Sequence, residues 1–222
     1  MITYIKILMT IKLSILVLTV PSRVYAFFPK LMTTLQTQTQ KYNDIEIIAL
    51  YDNKKRSVGK KRDDILKLAQ GEYLVFIDDD DRITDDYIDQ IMTALYENIN
   101  TDCVVFDCIC RVNKGDAKLC KYGIEFEYGD ILDGKEWRGK PAHTMVYKSA
   151  IAQKHHFSDM TYNEDYDWVG RAYRDIKEQT RIDKVLYHYD ADYETTSETT
   201  GLSDDVIHHN INLKLAKDLQ NT

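Results

Sequence analysis

Four consecutive aspartates, Asp78, Asp79, Asp80 and Asp81, follow the apolar run "YLVFI" with no spacer. Two carboxylates about 4 Å apart repel by roughly 4 kcal/mol at an effective dielectric near 20, so this knot needs water or a cation to offset it. Asp78 and Asp80 stand two residues apart and project to one side if strand geometry continues through them. Hard carboxylate oxygens in that arrangement suit Mg²⁺ or Mn²⁺, which use one or two carboxylates and leave other positions to phosphate oxygens. One reading is therefore an Asp-x-Asp gripping a divalent cation that bridges a diphosphate. A calcium loop of the EF-hand kind fails. Counted from Asp78, position 5 is Arg82, position 6 is Ile83 where Gly is needed, and position 12 is Asp89 where Glu is needed.

A second chemistry stays open. Metal-dependent phosphatases of the haloacid-dehalogenase type place an Asp-x-Asp after an apolar strand, with the first Asp as nucleophile. They need Thr or Val two residues beyond the second Asp, where this chain has Arg82 or Ile83. Further along, "NEDYDW" gathers Glu164 and Asp165 behind Asn163, a pattern that by itself reads as a capped, acidic helix start. His188 stands near the end of an expected strand, within "LYHYD", and a neutral imidazole there suits Mn²⁺. His143, His155, His156, His208 and His209 lie on no motif.

The elements that must position these residues alternate. Residues 13–20, "LSILVLTV", read as a buried strand ended by Pro21 and Ser22. A signal peptide would also use a short apolar run after Lys6 and Lys12 and the small-residue "VYA", but losing it would strip the first β/α unit. Residues 1–11 are expected to be a loosely ordered leader, and the apolar run is too short to span a bilayer, so no transmembrane anchor is expected. A helix over 25–40, a strand over 44–53, a helix over 60–70 burying Ile65, Leu66 and Leu68, and the strand "YLVFI" follow. This β-α-β-α-β order is the mark of a parallel sheet flanked by helices, whose ligands collect at the carboxyl ends of its strands. The aspartates fall there. Thr84 is expected to cap the next helix, with Ile88, Ile91, Met92, Leu95 and Ile99 on its core face. Strands "DCVVFDCI" and "KYGIEFEYG", a loop over 129–141, a strand "TMVYKS", a helix from about Asn163, a strand over 182–189 and an amphipathic helix over 203–220 complete the pattern.

Length and charge bound the function. At 222 residues the chain can bury roughly 70% of its unfolded surface. With 36 acidic against 29 basic residues and a net charge of −7, it lacks the cationic surface that nucleic-acid backbones require. Cys103, Cys108, Cys110 and Cys120 match no zinc spacing and read as reduced, packed thiols, which favours a reducing, cytoplasmic setting.

Taken together, "SILVLTVPSR", "IIALYDN", "SVGKKRDDILKLAQGEYLVFIDDDD" and the later "YNEDYDW" resemble a family 2 glycosyltransferase of the GT-A fold, over residues 13–189. Compact members of this kind resemble enzymes of large DNA viruses, which would place this one in a host cytoplasm, or of bacterial polysaccharide loci. The resemblance implies one α/β domain with a mostly parallel central sheet. Residues 13–99 would form a nucleotide-sugar half and residues 100–193 an acceptor half, closed by the helix over 203–220. It implies that Pro21 and Ser22 line the nucleotide pocket, that Asp52 meets the uracil, and that Arg62 matches a family arginine, with Asp63 replacing the usual Asn beside it. Asp78 would meet ribose or metal, Asp80 would be the main metal ligand, Asp81 would orient its neighbours, and Asp79 would be the variable middle position, counted with the nucleotide-binding set or facing water. Asp165 would be the catalytic base of an inverting transfer from a UDP-sugar to a carbohydrate hydroxyl, with Glu164 contacting the acceptor or standing behind it. His188 would be a further ligand of Mn²⁺ or Mg²⁺. Trp168 would back the acceptor sugar or sit in the core, and Trp137, in "GKEWRGKP", would belong to a surface loop or a mobile flap. A non-catalytic carbohydrate-binding module with the same fold is a third possibility.

Overall fold

The apolar segment behind Lys12 forms β1 (Leu13–Thr19), buried along almost its whole length. It pairs in parallel with β2 (Ile45–Tyr51) on one side and β3 (Tyr73–Asp78) on the other. Strands covered on both faces read as continuous apolar runs, which explains why β1 and β3 lack alternation. The structure is a computed structural model and describes residues 10–191 except 114, 128, 129 and 133; the expected helix over 203–220 and most of the expected leader lie outside them.

The crossovers between these strands are α1 (Phe28–Thr39) and α2 (Val58–Leu66). The first starts three residues later than expected, because the chain after β1 winds through turns closed by Val20 O and Arg23 O, and Pro29 opens the helix. In α2, the Ser57 side chain accepts from Lys60 N at 3.1 Å. Gly59 lets the helix touch the chain opposite: a Cβ there would lie 1.9 Å from Ser158 O. Because α2 ends at Leu66, Leu68 falls in the following turn and is 54% exposed, against the expected burial.

Past β3, the short β4 (Arg82–Ile83) leads into α3 (Tyr87–Glu97). Thr84 does not cap this helix; its carbonyl closes a turn with Tyr87 N and its hydroxyl meets Asp86 at 3.1 Å. Ile88, Ile91, Met92 and Leu95 are fully buried as expected, but Ile99 lies beyond the helix end and is 68% exposed.

The rest of the sheet is mixed. β5 (Cys103–Val112) pairs antiparallel with β6 (Lys118–Tyr122). The expected strand "KYGIEFEYG" stops at Tyr122, where Gly123 opens a turn closed by Phe126 N. The expected loop over 129–141 instead holds β7 (Asp130–Leu132) and β8 (Glu136–Gly139), which pair with each other; β8 also lies parallel to β6. The Gly-rich, charged composition hid these strands, which form because the edge of β6 offers a partner ladder. β9 (Val146–Lys148) sits antiparallel between β3 and β5, giving the order β2-β1-β3-β9-β5-β6-β8-β7. β10 (Gln179–Ala191) runs parallel to β5 and antiparallel to β4. Two helices, α4 (Ser149–Ala152) and α5 (Glu164–Ala172), complete the described elements apart from one 3₁₀ turn.

The core continues beneath α5. Trp168 is fully buried there, stacked on Phe157 with centroids 4.9 Å apart and edge-on to Tyr147, and its indole N–H donates to His155 O at 2.8 Å. The four thiols are unbridged, with Cys103, Cys108 and Cys120 buried.

Candidate active site

At the carboxyl end of β3 the chain turns back, Asp81 N donating to Asp78 O at 3.1 Å, and the turn sends the four carboxylates to different partners. Asp78 takes Arg62, whose Nη2 donates to Oδ1 at 2.8 Å, while His143 Nε2 lies 3.4 Å from Oδ2. Asp79 and Asp80 share Arg23. Its Nη1 donates to Asp79 Oδ1 at 2.8 Å and to Asp80 Oδ1 at 3.0 Å, and its Nη2 lies 2.9 Å from Asp80 Oδ2. Asp81 accepts the Tyr187 hydroxyl at 2.6 Å, and that hydroxyl oxygen accepts Asp78 N–H at 3.2 Å, so one tyrosine pins both ends of the turn.

These partners set the charge states. Burial and the charges of Asp78 and Asp80 push Asp81 well above the ordinary carboxylate range, against the Tyr187 hydrogen bond. Burial also pushes Asp80 up to about 6, with Asp78 and Asp79 adding to the rise and Arg23 opposing it. Asp78 goes the other way: burial would raise it, but Arg62 and His143 hold it far below the usual range. Negative charge is thus concentrated on Asp78, and its neighbours bear the electrostatic cost.

Arg62 joins this turn to α5. Buried over the face of Phe76, it donates through Nε to Glu164 Oε1 at 3.2 Å as well as to Asp78. Its neighbour Asp63 turns away and pairs with Lys67 and His156. His143 makes the second link, with Nδ1 3.3 Å from Asp165 Oδ2 and Nε2 toward Asp78. Burial and Arg62 push its imidazole down, but hydrogen bonds to Asp165 and Asp78 outweigh both and raise it to about 9. Burial likewise would raise Asp165, yet His143 and Arg62 hold it well below the ordinary range, so it is an ionised carboxylate. Asn163 starts α5 in the left-handed conformation, φ 61°, which Asn tolerates better than most residues, and makes no side-chain cap bond.

Two cavities meet at this bridge. The smaller, about 150 Å³, is lined by Arg23, Lys61, Arg62 and Asp78–Asp80. The larger, about 550 Å³, is lined by Trp137, Tyr122, Tyr162, His143 and Asp165 among others. Arg62, Asp78 and Glu164 border both.

The structure thus gathers Arg62, Asp78, Asp79, Asp80, Glu164 and Asp165, with Asp81 held by Tyr187 behind the turn and Trp137 among the residues lining the larger cavity. Other expected site residues stand elsewhere. Pro21 and Ser22 are exposed in the turn after β1, which rotates them outward and brings Arg23 in. Asp52 is buried at the end of β2, accepting Lys54 N–H and Arg56 Nε–H at 2.8 and 2.9 Å, and borders neither cavity. Asp79 does not face water; it is 2% exposed. His188 projects from the opposite face of β10 to the cavity-lining Tyr187 and Tyr189, next to Arg82 in the β4 ladder, because strand residues alternate. Trp168 is a core residue, and Trp137 sits on strand β8 against Tyr122 instead of on a flap. Arg23, His143 and Tyr187 were not picked out as site residues: Arg23 and Tyr187 stand beside the residues the sequence favoured, Ser22 and His188, and His143 lies on no motif.

Among the described residues no three acidic, imidazole or thiol side chains form a ready-made metal ligand set. The donor chemistry still fits a hard divalent cation. Asp78 and Asp80 offer hard carboxylate oxygens at the rim of the smaller cavity, the donor type that Mg²⁺ and Mn²⁺ favour.

By fold, the chain is similar to the crystal structure of S. aureus TarS, at 17% identity and a TM-score of 0.58, over 83% of this chain and 38% of that one. It is similar as well to S. aureus TarS 1-349 in complex with UDP-GlcNAc, at 18% identity and a TM-score of 0.58, over 81% of this chain and 58% of that one. The complex of TarS 1-349 with UDP gives 18% identity and a TM-score of 0.58, over 85% and 64%. The chain therefore spans less than two thirds of each of these proteins. No curated protein matches it by sequence. The α/β architecture expected from the sequence is the GT-A fold, with a more mixed sheet than anticipated. Residues 33–155, more than half of the chain, match the model for glycosyl transferase family 2, and the chain belongs to that family.

Proposed function

We propose that this protein is an inverting glycosyltransferase that moves a sugar from a UDP-sugar to a carbohydrate hydroxyl. The observation that carries the reading is the His143 bridge. It ties Asp165, in the larger cavity, to Asp78, at the smaller one, through contacts of 3.3 and 3.4 Å. A transferase that brings two substrates together needs its base and its donor-binding carboxylate held at such a junction. Family membership and the nucleotide-bound TarS structures support UDP as the donor's nucleotide.

In this reading the diphosphate occupies the smaller cavity, whose Lys61 and Arg62 supply positive charge, and the acceptor enters the larger one against Trp137 and Tyr122. The acceptor oxygen attacks the anomeric carbon from the face opposite the diphosphate. Its proton passes to Asp165, the bond from carbon to diphosphate oxygen breaks, and the diphosphate leaves with that electron pair. Arg62 holds Glu164 and Asp78 in place during the exchange. Asp80 with Asp78 would hold Mn²⁺ or Mg²⁺, which supplies neutralisation of the departing diphosphate. Residues 13–99 and 100–193 serve as donor and acceptor halves of one domain. No described helix is long and apolar enough to cross a membrane.

A thermal-shift panel of nucleoside diphosphates and UDP-sugars, with and without Mn²⁺, tests this directly. UDP with Mn²⁺ should raise the melting temperature, by about 2.7 kcal/mol of stabilisation at a hundredfold excess over Kd. No UDP stabilisation under either condition points to a non-catalytic module. Hydrolysis of simple phosphate esters without a nucleoside would favour the phosphatase chemistry.

A further inference from the structure

We propose that Arg23 is a resident counter-cation of the acidic turn, which a divalent cation displaces from Asp80 and which then turns onto the donor diphosphate. This rests on the nucleotide-sugar reading above. Arg23 stands in the turn between β1 and α1, and its guanidinium enters the smaller cavity beside Lys61 and Arg62. There it grips both oxygens of Asp80, through Nη1 at 3.0 Å and Nη2 at 2.9 Å, while Nη1 also meets Asp79. A planar fork on one carboxylate is the strongest clamp an arginine makes, and it fits phosphate equally well. A metal ion coordinated by Asp80 would meet the guanidinium's own charge within a few ångströms, so clamp and metal compete for one carboxylate.

One orphaned atom indicates that the present arrangement is incomplete. Arg23 Nε is buried without a hydrogen-bond partner among the described residues. An unused buried N–H is costly, and a phosphate oxygen in the cavity would satisfy it. Once a metal holds Asp80, the fork freed from that carboxylate has a matching acceptor in the same cavity. Arg23, Lys61 and Arg62 would then present three cations to the diphosphate. Metal and nucleotide would help each other bind, with Arg23 as part of the coupling.

Isothermal titration of Mn²⁺ and UDP against the full chain and its Arg23→Gln variant tests this without measuring turnover. Without nucleotide, Arg23→Gln should bind Mn²⁺ about tenfold more tightly or better, the size of one lost charge-assisted competitor. With saturating Mn²⁺ it should bind UDP about tenfold more weakly, whereas the two proteins should differ little without metal. Unchanged or weaker Mn²⁺ binding overturns the proposal, and so does an equal loss of UDP affinity with and without metal. If Arg23→Gln does not fold, Arg23→Lys, which keeps one charge and loses the fork, should shift both affinities in the same directions; no shift overturns the proposal. A wild-type chain that binds neither Mn²⁺ nor UDP would instead overturn the nucleotide-sugar reading itself.

Discussion

Replacing Arg62 with Met keeps the bulk of the side chain over Phe76 and removes the guanidinium that hydrogen-bonds both Asp78 and Glu164. Arg62 is 6% exposed, and its contacts of 2.8 and 3.2 Å leave both carboxylates without that partner once it is gone. Breaking a buried pair from one side costs about 3–5 kcal/mol. His143 still faces Asp78, so the cost should sit toward the lower end and fall mainly on Glu164. In a domain of 150–250 residues each kcal/mol moves Tm by about 2–4 °C, so a cost of about 3 kcal/mol gives an expected loss of about 6–12 °C. Thermal melts by circular dichroism without ligand give the value. Adding Glu164→Gln to Arg62→Met neutralises the stranded carboxylate and should restore about 1–3 kcal/mol, although Glu164→Gln alone destabilises. A drop under about 2 °C for Arg62→Met, or an additive double variant, would refute the idea that Arg62 is the electrostatic keystone of the site.

Asp165→Asn should reduce turnover by about 10²- to 10⁴-fold while UDP affinity stays within about twofold, measured by steady-state kinetics and calorimetry; near-normal turnover would displace it as the base. His143 ties stability to pH. Its imidazole is raised from an ordinary value near 6.5 to about 9, so the stabilisation is complete below about pH 6.5 and is lost as pH rises through about 9. Urea midpoints across that window should fall for the wild type and stay flatter for His143→Gln. Trp168→Ala should cost about 3–5 kcal/mol in urea unfolding and leave the acceptor KM unchanged, because the indole is enclosed by Phe157 and Tyr147 and does not border the cleft.

Much of the N-terminal half of the sheet was legible because it depends on local pattern. The apolar runs of β1 and β3, the Gly71 break before β3 and the aspartates at its end place a charged turn at a sheet edge on periodicity alone. The stretch "GKKRDD" pointed to Arg62, and "NEDYDW" to Glu164 and Asp165, as residues of one site. The failures share a physical cause. Strands β7 and β8 exist because β6 presents a ladder edge, not because their Gly-rich segment prefers extension. His188 and Tyr187 are adjacent in sequence, and only strand pairing decides which of them faces the cleft.

What the sequence determined by itself is the order of elements, the family resemblance and the concentration of acid at the end of β3, all properties of residues near one another in the chain. Tertiary structure decided which partner answers each acid. Arg23 reaches Asp79 and Asp80 across 56 and 57 residues, His143 reaches Asp78 across 65, and Tyr187 reaches Asp81 across 106. Carboxylates that look alike in the sequence end in different charge states because ionisation follows burial and the nearest opposite charge, and chain folding alone sets both.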